Sequence, residues 1–347
     1  MSKNKTYRSK PNGGQITVIV PAYNEAPSLT DTIDSLLNQT LPPIEIIVVD
    51  DCSTDGSGDV ARDLGVTVRR PPRNTGKAGA QTYALPFVNT EFCISIDADT
   101  ILAPDAIQKL FEAMRDPDVA AASGYVLPRY VKSVWERGRY VEYLLCFKLF
   151  QDHFERPLIL SGCFSIYRTD VLREIGGWSN RTMAEDIDLT WTLYAAGWKV
   201  RFAPEAACYP IEPHDFHVLG CQLRRWSHGF IQNVVLHWRD VLEQRYLRTF
   251  VAVVLWDTIV TGSLLLFAIP ILSILVNPFF LLGYIVDIVI IAVPVLLEAL
   301  KRREFGRALL SLPAYPVYRM VNMASLVKAF WLEIVKRQSL RVYEKGH

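Results

Sequence analysis

From residue 16 onward, short runs of β-branched residues alternate with stretches in which apolar residues recur every three or four positions. The runs 16–20, 44–49 and 92–96 are continuously apolar rather than alternating, which predicts strands covered on both faces. Helical periodicity predicts helices near 29–38 and 58–64 between them. Strands and helices in alternation predict a parallel, doubly wound α/β sheet. Near residue 250 the pattern changes. Residues 251–276 are almost wholly apolar, Asn277-Pro278 makes a turn, and 279–300 form a second apolar run; each is long enough to cross a bilayer. A third stretch, 309–335, is interrupted by Pro313, Pro316, Arg319 and Lys328, and fits either a third span or a kinked interfacial helix.

The expected organisation is therefore a flexible basic tail over 1–14, an α/β domain over 15–245, and a membrane domain over 246–347. The tail carries Lys3, Lys5, Arg8 and Lys10. Two segments of the α/β domain, about 130–155 and 215–245, are expected to lie at a membrane interface. The first interleaves Trp135, Tyr143, Leu144, Phe147 and Phe150 with Arg137, Arg139, Glu142 and Lys148; a surface helix packed on the core is the competing reading. Lys301, Arg302, Arg303 and Arg307 follow the second apolar run, so the positive-inside rule puts them, and the α/β domain, on the cytoplasmic side. Asp257 and Asp287 fall inside the two spans, where an ionisable group faces a cavity or another protein segment, or sits near the interface in water.

Composition narrows the function. The 347 residues carry 37 Lys and Arg against 36 Asp and Glu, a net charge of +1 that offers nucleic acid no global attraction. Six cysteines stand without a CxxC pair, and reduced thiols are expected. His214 and His217 with Cys221 suggest a metal, but Pro213 and the missing second pair argue against a closed zinc site. No GxGxxG follows the first strand, which argues against a nicotinamide cofactor.

Four groups of residues carry candidate chemistry. Asp50-Asp51 closes the second strand, where a parallel sheet presents its ligand crevice; a carboxylate there can accept from a base edge or a ribose, or simply cap a turn. Asp97-Ala98-Asp99 follows the strand 92–96, and in extended chain both carboxylates point one way, toward one divalent ion and one ribose. Thr182 and Glu185 have the spacing of a capping box opening a helix that ends at Gly197. Asp186, in its first turn, is either a general base or a favourable partner of the helix dipole. Gln222, Arg225 and Trp226 share one helix face, offering an amide, a guanidinium for phosphate and an indole for a sugar ring; a membrane-interface Trp with a snorkelling Arg is the alternative.

Taken in this order, these residues resemble glycosyltransferase family 2, in particular its processive membrane branch of cellulose, chitin, hyaluronan and poly-N-acetylglucosamine synthases, from about Thr17 to the end of the chain. The resemblance implies a glycosyltransferase A-type (Rossmann-like) α/β domain followed by a C-terminal helical transmembrane domain. It places Pro21, Tyr23, Glu25, Asp50, Asp51, Lys77 and Asp97 at the donor nucleotide, with Lys77 in the segment 74–80 near the diphosphate. Asp99, with Asp97, is the implied ligand of Mg2+ or Mn2+. Gly162 and Cys163 resemble the acceptor-site turn, Ala184-Glu185-Asp186 the Thr-Glu-Asp motif whose Asp is the base, and Gln222, Arg225 and Trp226 the QxxRW motif at diphosphate and acceptor.

The implied activity is inverting, metal-dependent transfer from a UDP-sugar, UDP-N-acetylglucosamine or UDP-glucose, that elongates a β-linked polysaccharide. The alternative is transfer of a single sugar to a membrane lipid; a catalytically silent, nucleotide-sugar-binding subunit is a third reading. Expected partners are the donor, a saccharide or lipid-linked acceptor and the bilayer, with no nucleic acid, in a multi-pass protein of the cell membrane. Two departures stand out. Ala184 replaces the usual Thr. No membrane helices precede the α/β domain, so export of a polymer implies a homo-oligomer, an accessory subunit or a separate exporter.

Overall fold

The structure, a computed structural model, describes residues 16–149 and 157–340. The basic tail expected over 1–14, and Phe150, lie outside the described residues. The chain divides into two compact units, one of Met1–Val126, Glu155–Arg181 and Asp188–Pro210, the other of Leu127–Phe154, Thr182–Ile187 and Ile211–His347.

The first unit is built on strands β1 (Ile16–Ala22), β2 (Glu45–Asp50), β3 (Thr67–Arg69), β4 (Phe92–Ile96), β5 (Ile101–Leu102), β6 (Val119–Val126), β7 (Phe164–Arg168) and β8 (Lys199–Tyr209). They form one sheet in the order β3-β2-β1-β4-β7-β6-β8-β5. Ile16, Val18, Ile19 and Val20 are all fully buried, as a continuous apolar run demands of a strand covered on both faces. Helices α1 (Ala26–Leu37), α2 (Ser57–Asp63) and α3 (Gly76–Ala84) connect β1 to β2, β2 to β3 and β3 to β4. The chain therefore runs outward from β1 to β3 and returns to β1's other side at β4, which makes the carboxyl ends of β1 and β4 the topological switch point.

The expectation of a parallel sheet holds for β3, β2, β1 and β4 only. Beyond them the sheet is mixed: β7 runs antiparallel to both β4 and β6, β8 parallel to β6, and β5 antiparallel to β8. The physical reason lies in how the chain enters β7. Ile96, the last residue of β4, pairs with Phe164, the first of β7, and Asp97 N donates to the Cys163 carbonyl (3.3 Å). Antiparallel pairing thereby brings the Ser161–Cys163 turn to the carboxyl end of β4, where a crossover connection would have carried it away.

The second unit is helical. It holds α5 (Val134–Leu149), the opening residues of α7 (Glu185–Ala195), α8 (Phe216–Leu236), and two helices long and apolar enough to cross a membrane, Arg245–Leu275 and Pro278–Lys301; α4 (Ala106–Glu112) and α6 (Thr169–Glu174) belong to the first unit. The expected spans 251–276 and 279–300 coincide with the two apolar helices. Helix Tyr315–Phe330, from the third apolar stretch, buries Tyr315, Tyr318, Met323, Leu326 and Ala329 and packs on α5 and α8. The two acids expected inside the spans find their partner in this third stretch: Arg319 bonds Asp287 at 2.8 and 2.9 Å and pairs with Asp257.

Helix α5 is largely enclosed by protein. Glu136, Arg139, Tyr140, Val141, Leu144 and Phe147 are buried, and of its described side chains only Val134 is exposed. It packs on helix Tyr315–Phe330 so closely that a Cβ at Gly138 would overlap Tyr318.

Candidate active site

The acids of the first unit gather at the switch point, where neighbouring pairs have different surroundings. Asp50 is buried; Ser53 N donates to it (2.8 Å) and Arg70 Nη1 lies 2.6 Å away. Asp51, also buried, accepts from Thr75 N (2.8 and 3.0 Å to its two oxygens), Thr75 Oγ1 (2.9 Å) and Gly76 N (2.8 Å). The orphan amides at the start of α3 are thus satisfied from the end of β2. That anchors Lys77, the second residue of α3. Its Nζ reaches Asp97 Oδ1 (2.5 Å) and the Gly162 carbonyl (3.0 Å), joining α3, the end of β4 and the turn before β7.

Asp97-Ala98-Asp99 is a turn rather than the extended segment expected. Thr100 N donates to Asp97 O (3.1 Å) and Thr32 Oγ1 to Ala98 O (2.8 Å), so a turn hydrogen bond and one from α1, not strand alternation, orient the two acids. Asp99 keeps part of its surface accessible. Burial first, and then Asp97 and Glu25, push its carboxyl up to about 7, a rise that Lys77 only partly offsets. Glu25 follows Asn24, whose φ of 55° suits an asparagine, and is tied down by Glu25 N→Ser57 Oγ (2.8 Å). Pro21 lies in β1 opposite Val49, and Tyr23 is exposed just beyond it. Cys163 has its sulfur 3.0 Å from Ser161 Oγ and 3.9 Å from Cys208, whose thiol burial pushes up.

In the second unit, α7 begins at Glu185, and Thr182 does not cap it. The Thr182 hydroxyl donates to Ala184 O (3.1 Å), and Asn233 Nδ2 donates to Thr182 Oγ1 (3.2 Å) and Ala184 O (3.1 Å). Gln232 Oε1 accepts from Met183 N (2.8 Å). The α8 side chains hold this segment in place of a capping box. The segment also packs tightly on α8: a Cβ built on Gly229 would lie 2.6 Å from the Ala184 Cβ, so the absence of a side chain at Gly229 is what lets the two approach. Glu185 is buried; Asp186 is half-buried and accepts from Ile187 N (2.8 Å).

Gln222 and Trp226 face inward along α8 onto a residue that the sequence reading had assigned to a basic interfacial face. Arg139 is fully buried; its Nη2 donates to Gln222 Oε1 (2.6 Å) and its guanidinium carbon lies 4.3 Å from the Trp226 ring centroid. Arg225 and Trp226 remain half-buried. The only local signal for Arg139 was Glu142 three residues on, since its other partners, Glu212, Gln222 and Tyr318, are distant in sequence.

The glycosyl transferase family 2 model matches residues 17–176, the stretch that holds every acid of the first cluster. An uncharacterized glycosyltransferase of Escherichia coli K12, YaiP, is 33% identical over 250 residues, covering 67% of this chain and 62% of that protein. Residues 17–176 of this chain are a glycosyltransferase family 2 domain. The poly-beta-1,6-N-acetyl-D-glucosamine synthase of Staphylococcus epidermidis is 27% identical over 222 residues, 62% of this chain and 54% of that enzyme. The chain thus matches a little over half the length of these curated relatives. Among solved structures, the mannosyltransferase PcManGT from Pyrobaculum calidifontis, in complex with GDP-Man and Mn2+, superposes with a TM-score of 0.62 at 20% identity, covering 94% of this chain and 91% of that one. S. aureus TarS 1-349 in complex with UDP gives 0.51 at 18% identity, covering 89% and 90%. The expected glycosyltransferase A-type domain, followed by a helical region with two apolar helices, is borne out.

Proposed function

We propose that this family 2 glycosyltransferase transfers a sugar from a UDP-sugar to a saccharide or lipid-borne acceptor, with inversion, at the cytoplasmic face of a membrane that its two apolar helices cross. The observation that carries this reading is the acid cluster at the switch point: Lys77 paired with Asp97 at 2.5 Å, and beside them Asp99, its carboxyl pushed up to about 7 by burial and by Asp97 and Glu25. A partly accessible group so perturbed, in the crevice of a doubly wound sheet, marks a ligand site.

The residues fit Mg2+ or Mn2+. The donors are hard carboxylate oxygens, and negative charge outweighs the one lysine. Asp99 and Asp97 would hold the ion, which when bound neutralises charge building on the departing diphosphate. Asp51 acts one step back by fixing the start of α3, from which Lys77 meets the diphosphate. Asp50 braces the same crevice through Arg70. Asp186 accepts the proton of the acceptor hydroxyl as it attacks the anomeric carbon, and a single displacement inverts that centre. Glu185, buried next to it, begins the helix from which Asp186 projects. Arg225 neutralises phosphate oxygens, and Trp226 offers the acceptor sugar a stacking face.

Membrane insertion is supported by the apolar side chains these helices expose, among them Phe267, Ile271, Ile274, Phe279, Ile285 and Ile290. Arg245 and Arg248 at one end of the hairpin and Lys301, Arg302 and Arg303 at the other suit a cytoplasmic location for both. UDP-N-acetylglucosamine is the first donor to test, and a β-linked polymer the first product. Transfer of a single sugar to a membrane lipid is the alternative product.

The decisive assay offers the protein in lipid, with Mn2+, a panel of labelled UDP-sugars and sizes the products. A long polymer from one donor supports the synthase reading; one sugar on a lipid supports single transfer; no transfer from any UDP-sugar overturns both.

A further inference from the structure

Arg139 has no role in the reaction described above, yet it is among the largest fully buried side chains of the protein. Four groups fix it from separate parts of the second unit. Its Nη1 lies 2.5 Å from Glu142 Oε2 on α5 and donates to the Tyr318 hydroxyl at 2.5 Å; its Nη2 donates to Gln222 Oε1 at 2.6 Å; its Nε lies 3.3 Å from Glu212 Oε2. The carboxylates are held in turn. Tyr318 OH donates to Glu142 (2.7 Å), Asn322 Nδ2 to its other oxygen (3.1 Å), and Tyr143 OH to Glu212 (2.6 Å). Burial alone would weaken the guanidinium's hold on its proton, but Tyr318, Glu142 and Glu212 more than reverse this, so Arg139 stays charged.

A guanidinium so constrained is a rigid plate, and α8 rests on it at two points one helical turn apart, the amide of Gln222 and the indole of Trp226. The cation stacks 4.3 Å from the ring centroid, within cation–π range. A stacking platform for sugar depends on the tilt of its plane, which an unsupported indole samples among several rotamers. We infer that Arg139 is a positioning residue for the acceptor, setting the plane of Trp226 and the register of α8 while touching neither sugar nor phosphate itself. This rests on the reading of Trp226 as the acceptor platform.

Arg139→Lys keeps the charge and loses the planar fork. Tyr318→Phe keeps the ring and loses the hydroxyl that pins Nη1. Both are made in the full chain in lipid, with UDP-N-acetylglucosamine as donor, an N-acetylglucosamine oligomer as acceptor, and UDP affinity measured calorimetrically. Arg139→Lys is expected to raise the acceptor KM about tenfold, Tyr318→Phe about threefold, with UDP affinity within about twofold of wild type. Adding Arg139→Lys to Trp226→Ala is expected to raise the acceptor KM no further. Should Arg139→Lys fail to fold, Tyr318→Phe carries the same test. Loss of UDP affinity in step with activity, an unmoved acceptor KM in Tyr318→Phe, or full additivity with Trp226→Ala overturns the inference. If Trp226→Ala itself leaves the acceptor KM unmoved, the platform reading has failed, and the inference falls with it for that separate reason.

Discussion

The acids at the end of β4 and the guanidinium cluster on α5 both crowd charges into protein, and they resolve the crowding differently. Around Arg139, two glutamates, two tyrosines and two amides meet in a buried network in which Nη1 and Nη2 are hydrogen-bonded and Nε faces Glu212 only as an ion pair. Around Asp99, two further carboxylates face one lysine, part of the surface stays open, and a carboxyl with an ordinary value of 3.8 is driven up to about 7. The same contrast runs between adjacent acids. Asp50 and Asp51 have their oxygens taken by Arg70, Ser53, Thr75 and Gly76, whereas Asp97 and Asp99 share Lys77 between them. The first kind of arrangement holds its charges by mutual pairing; the second leaves a perturbed carboxyl within reach of solvent, where a cation would relieve it.

Substitutions can test where that line falls. The largest effect is expected at Asp186: Asp186→Asn should lower transfer about a thousandfold, in the range typical of a lost general base, while UDP affinity holds. Equal loss of both would make Asp186 a donor-side or structural residue. Next comes the closed cluster in the apolar helices. Arg319→Ala leaves Asp257 and Asp287 without their shared cation and should cost about 3 kcal/mol, read as a lower melting temperature in detergent. The combination Arg319→Met, Asp257→Asn and Asp287→Asn should recover most of that loss; a stable Arg319→Ala would show that this cluster is not scaffold.

Asp99→Asn should lower transfer about a hundredfold and abolish stabilisation by Mn2+. In metal-free protein it should do the reverse to stability. A carboxyl whose folded value is about 7 against an ordinary 3.8 binds its proton more tightly when folded, so stability present at low pH is lost as pH rises through 7. Metal-free Asp99→Asn should therefore melt above wild type at pH 8 and converge with it at pH 4.

The elements legible in the sequence were those whose signal is local. Strand β4 falls on the predicted 92–96, and β1 and β2 differ from expectation only at their ends, because a strand covered on both faces needs an uninterrupted apolar run. The mixed half of the sheet was not legible. Strand β6 reads VAAASGYV, whose alanines favour helix, and only pairing with β7 and β8 overrides that preference. At the site, residue types and order were readable, but partners were not. Thr182 had capping-box spacing and lost it to Asn233, 51 residues away, and Arg139 had a basic-face position and was buried by Tyr318, 179 residues away. Local spacing cannot report competition from a distant hydrogen-bonding group.

The smallest effect calibrates the rest. Asp116, at the start of the loop before β6, is a saturated acid of the opposite sign to Asp99. The Asp118 N–H at 3.0 Å is the main group holding its carboxyl below the ordinary value; Lys199 and Arg201, each 3.2 Å away, add to this against a modest opposing effect of burial. A lowered carboxyl contributes stability above its unfolded value and loses it as pH falls through the folded one. Both lysine and arginine are solvated, so screening keeps the contribution small, and Asp116→Ala should lower the melting temperature at pH 7 by no more than about 2 °C. The difference should shrink in acid, where that of metal-free Asp99→Asn also closes, but the two variants must differ from wild type in opposite directions at pH 8. If both melt below wild type there, Asp99 is as well compensated as Asp116, and the excess negative charge assigned to the β4 cluster does not exist.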